Sequence, residues 1–386
     1  MILSLLIIVV FIFSIDIITQ FYTWQSRIHI GRWNNINIWQ NKISKKSLKW
    51  LKNTPIIRIT DNRRLIFIDF LKGNYKRKSL QHWQEASLVL GLTEAYELNK
   101  EEAFKKQITA YIKSNIDISG NWKKTSKEID GVILAYAILN ISWIDHKINK
   151  PAYDTIYQLI QKSIGEGGTV YYRKSMQDYR YVDTIGFICP FLVLYGVKFK
   201  KQEAIDLAVH QIKEFNKYAM LEEHFIPCHT YNIKTNLPIG LFGWGRGLGW
   251  YAIGLIDAWN VLPNDSLDKL NLTKDVISFA KMALKYQNEN GSWNWLVTSK
   301  ESRADSSTTA TLAWFLINAA KIKEIRSECK LAKEKALTFL MKVTRRDGAI
   351  DFSQGDTKGI GVYSQNFDVL PFTQGFVLRT SCFKSI

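Results

Sequence analysis

The chain has 386 residues, 46% of them hydrophobic and only 7 of them proline, enough to bury a large core in one big domain or two. Its net charge of +17 favours anionic partners. The absence of zinc-finger spacing, RNP motifs and an Arg-rich recognition helix argues against nucleic acid and leaves anionic lipid or acidic polysaccharide.

Ile2 to Ile18 is nearly all apolar, interrupted by Ser4, Ser14 and Asp16. No basic residue precedes this run and no small-residue cleavage site follows it, so a cleaved signal peptide is not expected. Extended through Tyr22, the run is long enough to span a bilayer. Residues 1–22 therefore read as an uncleaved single-pass anchor. Arg27 and Arg32 follow it and place the remaining chain on the cytoplasmic side, with the opposite side as the alternative. Residues 23–78 form a basic lead-in. Its piece IIRITDNRRLIFIDF is readable as a short helix or a strand.

From Leu80 a rhythm sets in. Apolar segments at 84–98, 130–141, 183–196, 249–259 and 306–320 alternate with amphipathic ones at 101–116, 201–218, 272–287 and 330–343. A helix apolar on all sides is buried, and one with a charged face lies outside. Further helices at 151–164, near Ile43 to Leu51, and through the closing TQGFVLRTS raise the total to about twelve. The pattern is compatible with four to six helical pairs and is read as an all-α fold, an (α/α)6 toroid of six helical hairpins over residues 79–386. Cys189, Cys228, Cys329 and Cys382 lie far apart with no CxxC pair, so neither a local metal site nor a disulfide framework is expected.

In a toroid all inner helices start at one end of the ring, so polar residues at those starts converge. Asp130 and Asp183 open two of them, Arg246 lies before a third, Asp305, Ser306 and Ser307 open a fourth, and Gln374 opens a fifth. For any single aspartate an N-cap is an equal alternative, because Asp is a preferred cap. The stretch GLFGWGRGLGWYAIGLID sets Trp244, Arg246 and Trp250 among glycines at the mouth of an apolar helix. Flat indole faces and a planar guanidinium suit a sugar. The alternative is a glycine-rich helix start with tryptophans that only fill the core. His229 and Tyr231 precede this stretch and are of the type that orients a water or binds a hydroxyl. HExxH, GxSxG and Walker patterns do not occur, which removes those enzyme classes.

RYVDTIGFICPFLVLYG, the His-x-Tyr of CHTYN followed by WGRGLGW, DSSTTATLAWFL, and the closing Gly-Val-Tyr and Thr-Gln-Gly segments occur in an order and spacing that resemble the unsaturated glucuronyl and rhamnogalacturonyl hydrolases, glycoside hydrolase families 88 and 105. The resemblance covers roughly Leu80 to Thr380. It implies an (α/α)6 barrel acting on oligosaccharides that end in a 4,5-unsaturated uronic acid, with no metal or organic cofactor. It implies that Asp183 is the general acid/base, adding a proton at C4 and helping water add at C5, and that Asp130 assists. His229, Arg246 and Trp250 match positions lining the sugar subsite. Leu248 stands where the family usually has Asn, and Asn232 where an acid is common. Two other readings remain: a related toroid with lyase or ordinary glycosidase chemistry in surface-polysaccharide processing, or a membrane-attached glycan-binding protein.

As an acid, Asp183 must hold its proton against the positive end of its helix. Burial among Tyr181, Ile185 and Phe187, with repulsion from Asp130 if the two are close, is the expected means.

Overall fold

The computed structural model describes residues 2–57, 61–62, 64–73 and 82–383. Parts of the lead-in and the barrel's expected opening residues, 79–81, lie outside them. Fourteen α-helices occur among the described residues: α1 (Ile2–Arg27), α2 (Ile36–Lys52), α3 (Ile66–Leu71), α4 (His82–Asn99), α5 (Glu102–Asn115), α6 (Val132–Leu139), α7 (Lys150–Lys162), α8 (Val182–Phe199), α9 (Gln202–Ala219), α10 (Gly245–Val261), α11 (Leu267–Lys285), α12 (Ser306–Ala319), α13 (Arg326–Lys342) and α14 (Pro371–Cys382).

Six of them form a closed inner ring. Each of α4, α6, α8, α10 and α12 packs on the next, and α14 closes the circle on α4. The ring closes because α4 and α14 meet at glycines: a methyl group on Gly91 or Gly375 would run into the other helix's backbone. The amphipathic helices α2, α5, α7, α9, α11 and α13 pack outside, each on an inner neighbour. The sorting follows composition. Every residue of α6 is buried, whereas α7 buries Ala152, Tyr153, Ile156, Tyr157 and Ile160 and exposes its charged face. The fold is the expected toroid of six hairpins, with α1 as an additional apolar helix.

Among the described residues, seven short strands lie in the loops: β1 (Tyr179–Tyr181), β2 (Met220–Leu221), β3 (Ile226–Pro227), β4 (Thr230–Asn232), β5 (Pro238–Ile239), β6 (Ser353–Gln354) and β7 (Phe367–Asp368). β1, β4 and β5 form an antiparallel sheet in which Tyr181 faces Thr230, and β6 pairs with β7. α1 joins the toroid at this loop-bearing end. Its last residue, Arg27, grips Asp351 with two hydrogen bonds of 2.6 and 3.0 Å. Asp351 also binds Arg345, which in turn binds Asp368. Such a buried network holds the segment in register, because loss of one partner would leave a buried charge unpaired. The undecided lead-in piece contains the helix α3.

Candidate active site

The inner helices start at the end of the ring that carries the small sheets, and a pocket opens there. Its cavity volume is about 260 Å³, just below the usual range of small-ligand sites. Its wall includes Asp183, His229, Trp244, Arg246 and Trp250, which the chain contributes from three loops and helix starts.

Asp183 lies in the first turn of α8, whose cap residue is Tyr181 rather than an aspartate. The backbone N–H of Val182 donates to the carbonyl of His229 at 3.0 Å, tying this helix start to the residue just before β4. The Asp183 side chain is 14% exposed, and its Oδ2 is buried without a hydrogen-bond partner among the described residues. Burial pushes its carboxyl up to about 7, its own backbone N–H opposes this, and the charge of Asp356 adds to the rise. The neighbouring carboxylate that acts on Asp183 is therefore Asp356, not Asp130.

His229 is 3.8 Å from Asp183, measured from Nε2 to Oδ2. Burial pushes its imidazole down to about 4, so the ring is neutral near pH 7. The Tyr363 hydroxyl lies 3.1 Å from Nδ1 and already accepts the Leu241 N–H. Trp244 packs on His229 and donates from Nε1 to Gln354 at 3.0 Å. The turn into α10 has a φ of 80° at Gly243, a conformation that glycine adopts without strain.

Arg246 is buried at the start of α10. Its Nε donates to Ser307 Oγ at 3.0 Å and its Nη2 donates to the Gln354 carbonyl. The guanidinium also lies over the rings of Trp83 and Phe372. Trp250 packs against Phe187, Phe372 and Trp83 and forms part of the pocket floor.

The other expected site residues lie behind this wall. Ser307 receives Arg246 and donates to Asp305 at 2.6 Å, so it reaches the pocket only through the arginine. Ser306 donates to the Asp351 carbonyl. Asp305 is a true N-cap, accepting the N–H groups of Ser307 and Thr308. Gln374 is bound to the backbone of Ile350, Ile43 and Gly348. Tyr231 is fully buried between Phe215 and Tyr218. Asp130 sits in a 3-10 turn ahead of α6 and binds Arg173 at 2.9 Å. It is Arg173, stacked on Tyr172, that lines the pocket.

Sequence reasoning missed Trp83, Tyr172, Arg173, Asp356 and Lys358, all on the pocket wall. The available signals were the aromatic-plus-arginine run Tyr171–Arg173 and the polar GDTKG loop at 355–359. Among the described residues no group of His, Cys, Asp and Glu is suited to hold a metal ion.

Comparison with known proteins agrees with this architecture. No curated protein matches the chain by sequence. Among solved structures, a possible member of family GH105 from Klebsiella pneumoniae is similar, with a TM-score of 0.74 at 14% identity, covering 90% of this chain and 92% of that one. The unsaturated glucuronyl hydrolase from Bacillus sp. GL1, described as responsible for glycosaminoglycan degradation, gives 0.65 at 17% identity, covering 89% and 96%. A polysaccharide lyase gives 0.60 at 16% identity, covering 88% and 96%. At such identities these likenesses speak for the fold. The sequence family Glycosyl Hydrolase Family 88 matches residues 62–379, most of the chain. The chain belongs to that family and is a glycoside hydrolase.

Proposed function

We propose that the protein removes a 4,5-unsaturated uronic acid from the non-reducing end of an oligosaccharide by hydrating its double bond. The observation that carries this reading is Asp183, a buried carboxyl at the pocket floor pushed up to about 7. Such a group holds a transferable proton near neutrality. Asp183 gives that proton to C4, and positive charge develops at C5, stabilised by the ring oxygen. Water adds at C5 and returns a proton to the Asp183 carboxylate. The hemiketal opens to a ketone at C5, and C1, now a hemiacetal, releases the neighbouring sugar. The net change is one water consumed, with no covalent enzyme intermediate.

The wall carries Arg173, Arg246 and Lys358 against Asp183 and Asp356. With Asp183 protonated, positive charge is in excess, which favours an anionic sugar. Trp244 and Trp250 supply the apolar faces. Asp130 acts through Arg173, as a positioning residue. A lyase would need a base to take a proton from C5. His229 is a poor choice, because burial depresses its basicity. The test is incubation with oligosaccharides made by polysaccharide lyases. Loss of the double-bond ultraviolet absorbance is expected, with no action on the saturated counterparts. Cleavage of saturated substrates at equal rate would refute the reading.

The apolar helix α1 is read as an uncleaved membrane anchor with the toroid on the cytoplasmic side. A C-terminal alkaline phosphatase fusion should be inactive, and an active fusion would place the toroid on the other side.

A further inference from the structure

Anchoring alone does not account for Asp16, the one buried residue of α1. A carboxylate inside an apolar span is costly unless it has partners. Asp16 accepts the backbone N–H of Leu65 at 2.5 Å and of Ile66 at 2.9 Å. These are the groups at the head of α3, which would otherwise be bare. Backbone N–H groups can enter lipid only when satisfied within the protein.

α3 is the hexapeptide IFIDFL, apolar except for Asp69, which is buried, and its Phe67 packs edge-on against Phe11 of α1. Phe70 and Leu71 remain 64% and 67% exposed, alongside the exposed apolar side chains of α1. A continuous apolar surface of this kind marks a contact with lipid or protein. Asp16 lies six residues before Tyr22, about 9 Å along the helix at 1.5 Å per residue. Tyr22 and Trp24 are residue types that sit at headgroup level. α3 is then in the outer part of the hydrocarbon layer. Arg64 and Lys72 flank it, with stems long enough to reach the headgroups.

The same two elements hold the pocket loop. Asp61, four residues before Leu65, accepts from Lys358 at 2.7 Å and from Ser364 at 2.6 Å. Arg27 holds Asp351 at the loop's start. Residues 356–359 of that loop line the pocket.

We propose that α3 is a second membrane-embedded element, seated on α1 by Asp16, and that the pair fixes the pocket mouth beside the bilayer surface. The occupant of the shared apolar face is lipid. The proposal rests on the reading of α1 as an uncleaved anchor. It does not depend on which sugar the pocket takes, but it directs the enzyme toward glycan ends close to a membrane.

The test uses the full chain in lipid nanodiscs. Single cysteines are introduced by I8C, F70C, V362C or L267C and labelled in the folded state with an environment-sensitive fluorophore. The four native cysteines are buried. Leu267 lies at the far end of the ring, and Val362 is 54% exposed beside the pocket loop. The labels at positions 8 and 70 should shift to the blue and be quenched by nitroxides on the acyl chains. The label at 362 should be quenched by headgroup nitroxides, and the label at 267 by neither. Acyl-chain quenching at 8 but not at 70 overturns the role of α3. A blue-shifted but unquenched label at 70 means protein, such as a second copy, covers the face, and also overturns it. An unquenched label at 362 overturns the placement of the mouth. An unquenched label at 8 removes the anchor reading itself.

Discussion

Asp183 and Asp257 are both buried on the inner ring, at opposite ends. Asp257 lies eleven residues after Arg246 on α10, roughly 16 Å farther along the axis. Both its oxygens are engaged: Arg379 donates at 2.7 Å and Trp314 at 2.8 Å. Arg379 stacks on Trp314, and its Nη2 donates to Tyr136. The Arg379 Nε–H lacks a hydrogen-bond partner among the described residues, but both carboxylate oxygens of Asp257 are taken. Asp183, by contrast, has one oxygen with no hydrogen-bond partner, and the groups around it leave a cavity. A fold normally satisfies its buried polar atoms, so a buried carboxylate left open at a cavity points to chemistry rather than to support.

Changing the two aspartates should therefore have opposite effects. Asp183→Asn keeps the shape and should fold normally, while turnover falls by roughly two to four orders of magnitude, the range for a positioned acid. Circular dichroism and turnover of the unsaturated substrate read the two halves separately. Asp257→Ala leaves Arg379 buried without its partner and should lose about 3 to 5 kcal/mol of stability. Turnover per folded molecule should hold. If chemical denaturation finds Asp257→Ala as stable as the parent, the cluster is not a strut.

Arg246 sharpens the comparison because it belongs to both worlds. It lines the pocket, yet it is held by Ser307 and the Gln354 carbonyl. Arg246→Ala should weaken binding of an acidic ligand by about 2 to 5 kcal/mol, read by calorimetry. Equal affinity would make Arg246 purely structural. Asp130→Asn should cost less than Asp183→Asn, because it acts through Arg173.

The smallest effect is on pH dependence. Turnover should fall as pH rises through about 7, where Asp183 loses its proton, and fall again below about 4, where His229 gains one. Stability follows the same groups. Folded Asp183 keeps its proton between its ordinary 3.8 and about 7, while the unfolded chain has lost it. The folded state then binds more protons, so this contribution to stability declines as pH rises through that window. His229 contributes the reverse slope between its ordinary 6.5 and about 4. Denaturation of the parent and of Asp183→Asn across pH isolates the aspartate, and identical slopes would mean Asp183 titrates normally.

The toroid was legible because burial imposes composition. Helices with no charged face, such as 183–196, had to be inner, and 201–218, with its charged face, had to be outer. The helix starts were legible as places but not as roles. Asp183 and Asp305 look alike in sequence, yet one is open to the pocket and the other is spent capping α12. Ser306 and Ser307 were grouped with the site for the same reason. Asp356 and Lys358 lie in a loop without periodicity. Lys358 is held by Asp61, 297 residues away in sequence, and local pattern carries no trace of such a contact. Asp16 interrupts the apolar run, and its partners at the head of α3 lie about fifty residues away, beyond the reach of local pattern.

Hydration of the double bond by Asp183 is decided by running the reaction in heavy water and following it by proton NMR. Deuterium is expected on a single face of C4, with the loss of the double bond in step with release of the neighbouring sugar. Release of that sugar while the double bond persists, or deuterium on both faces of C4, would contradict it.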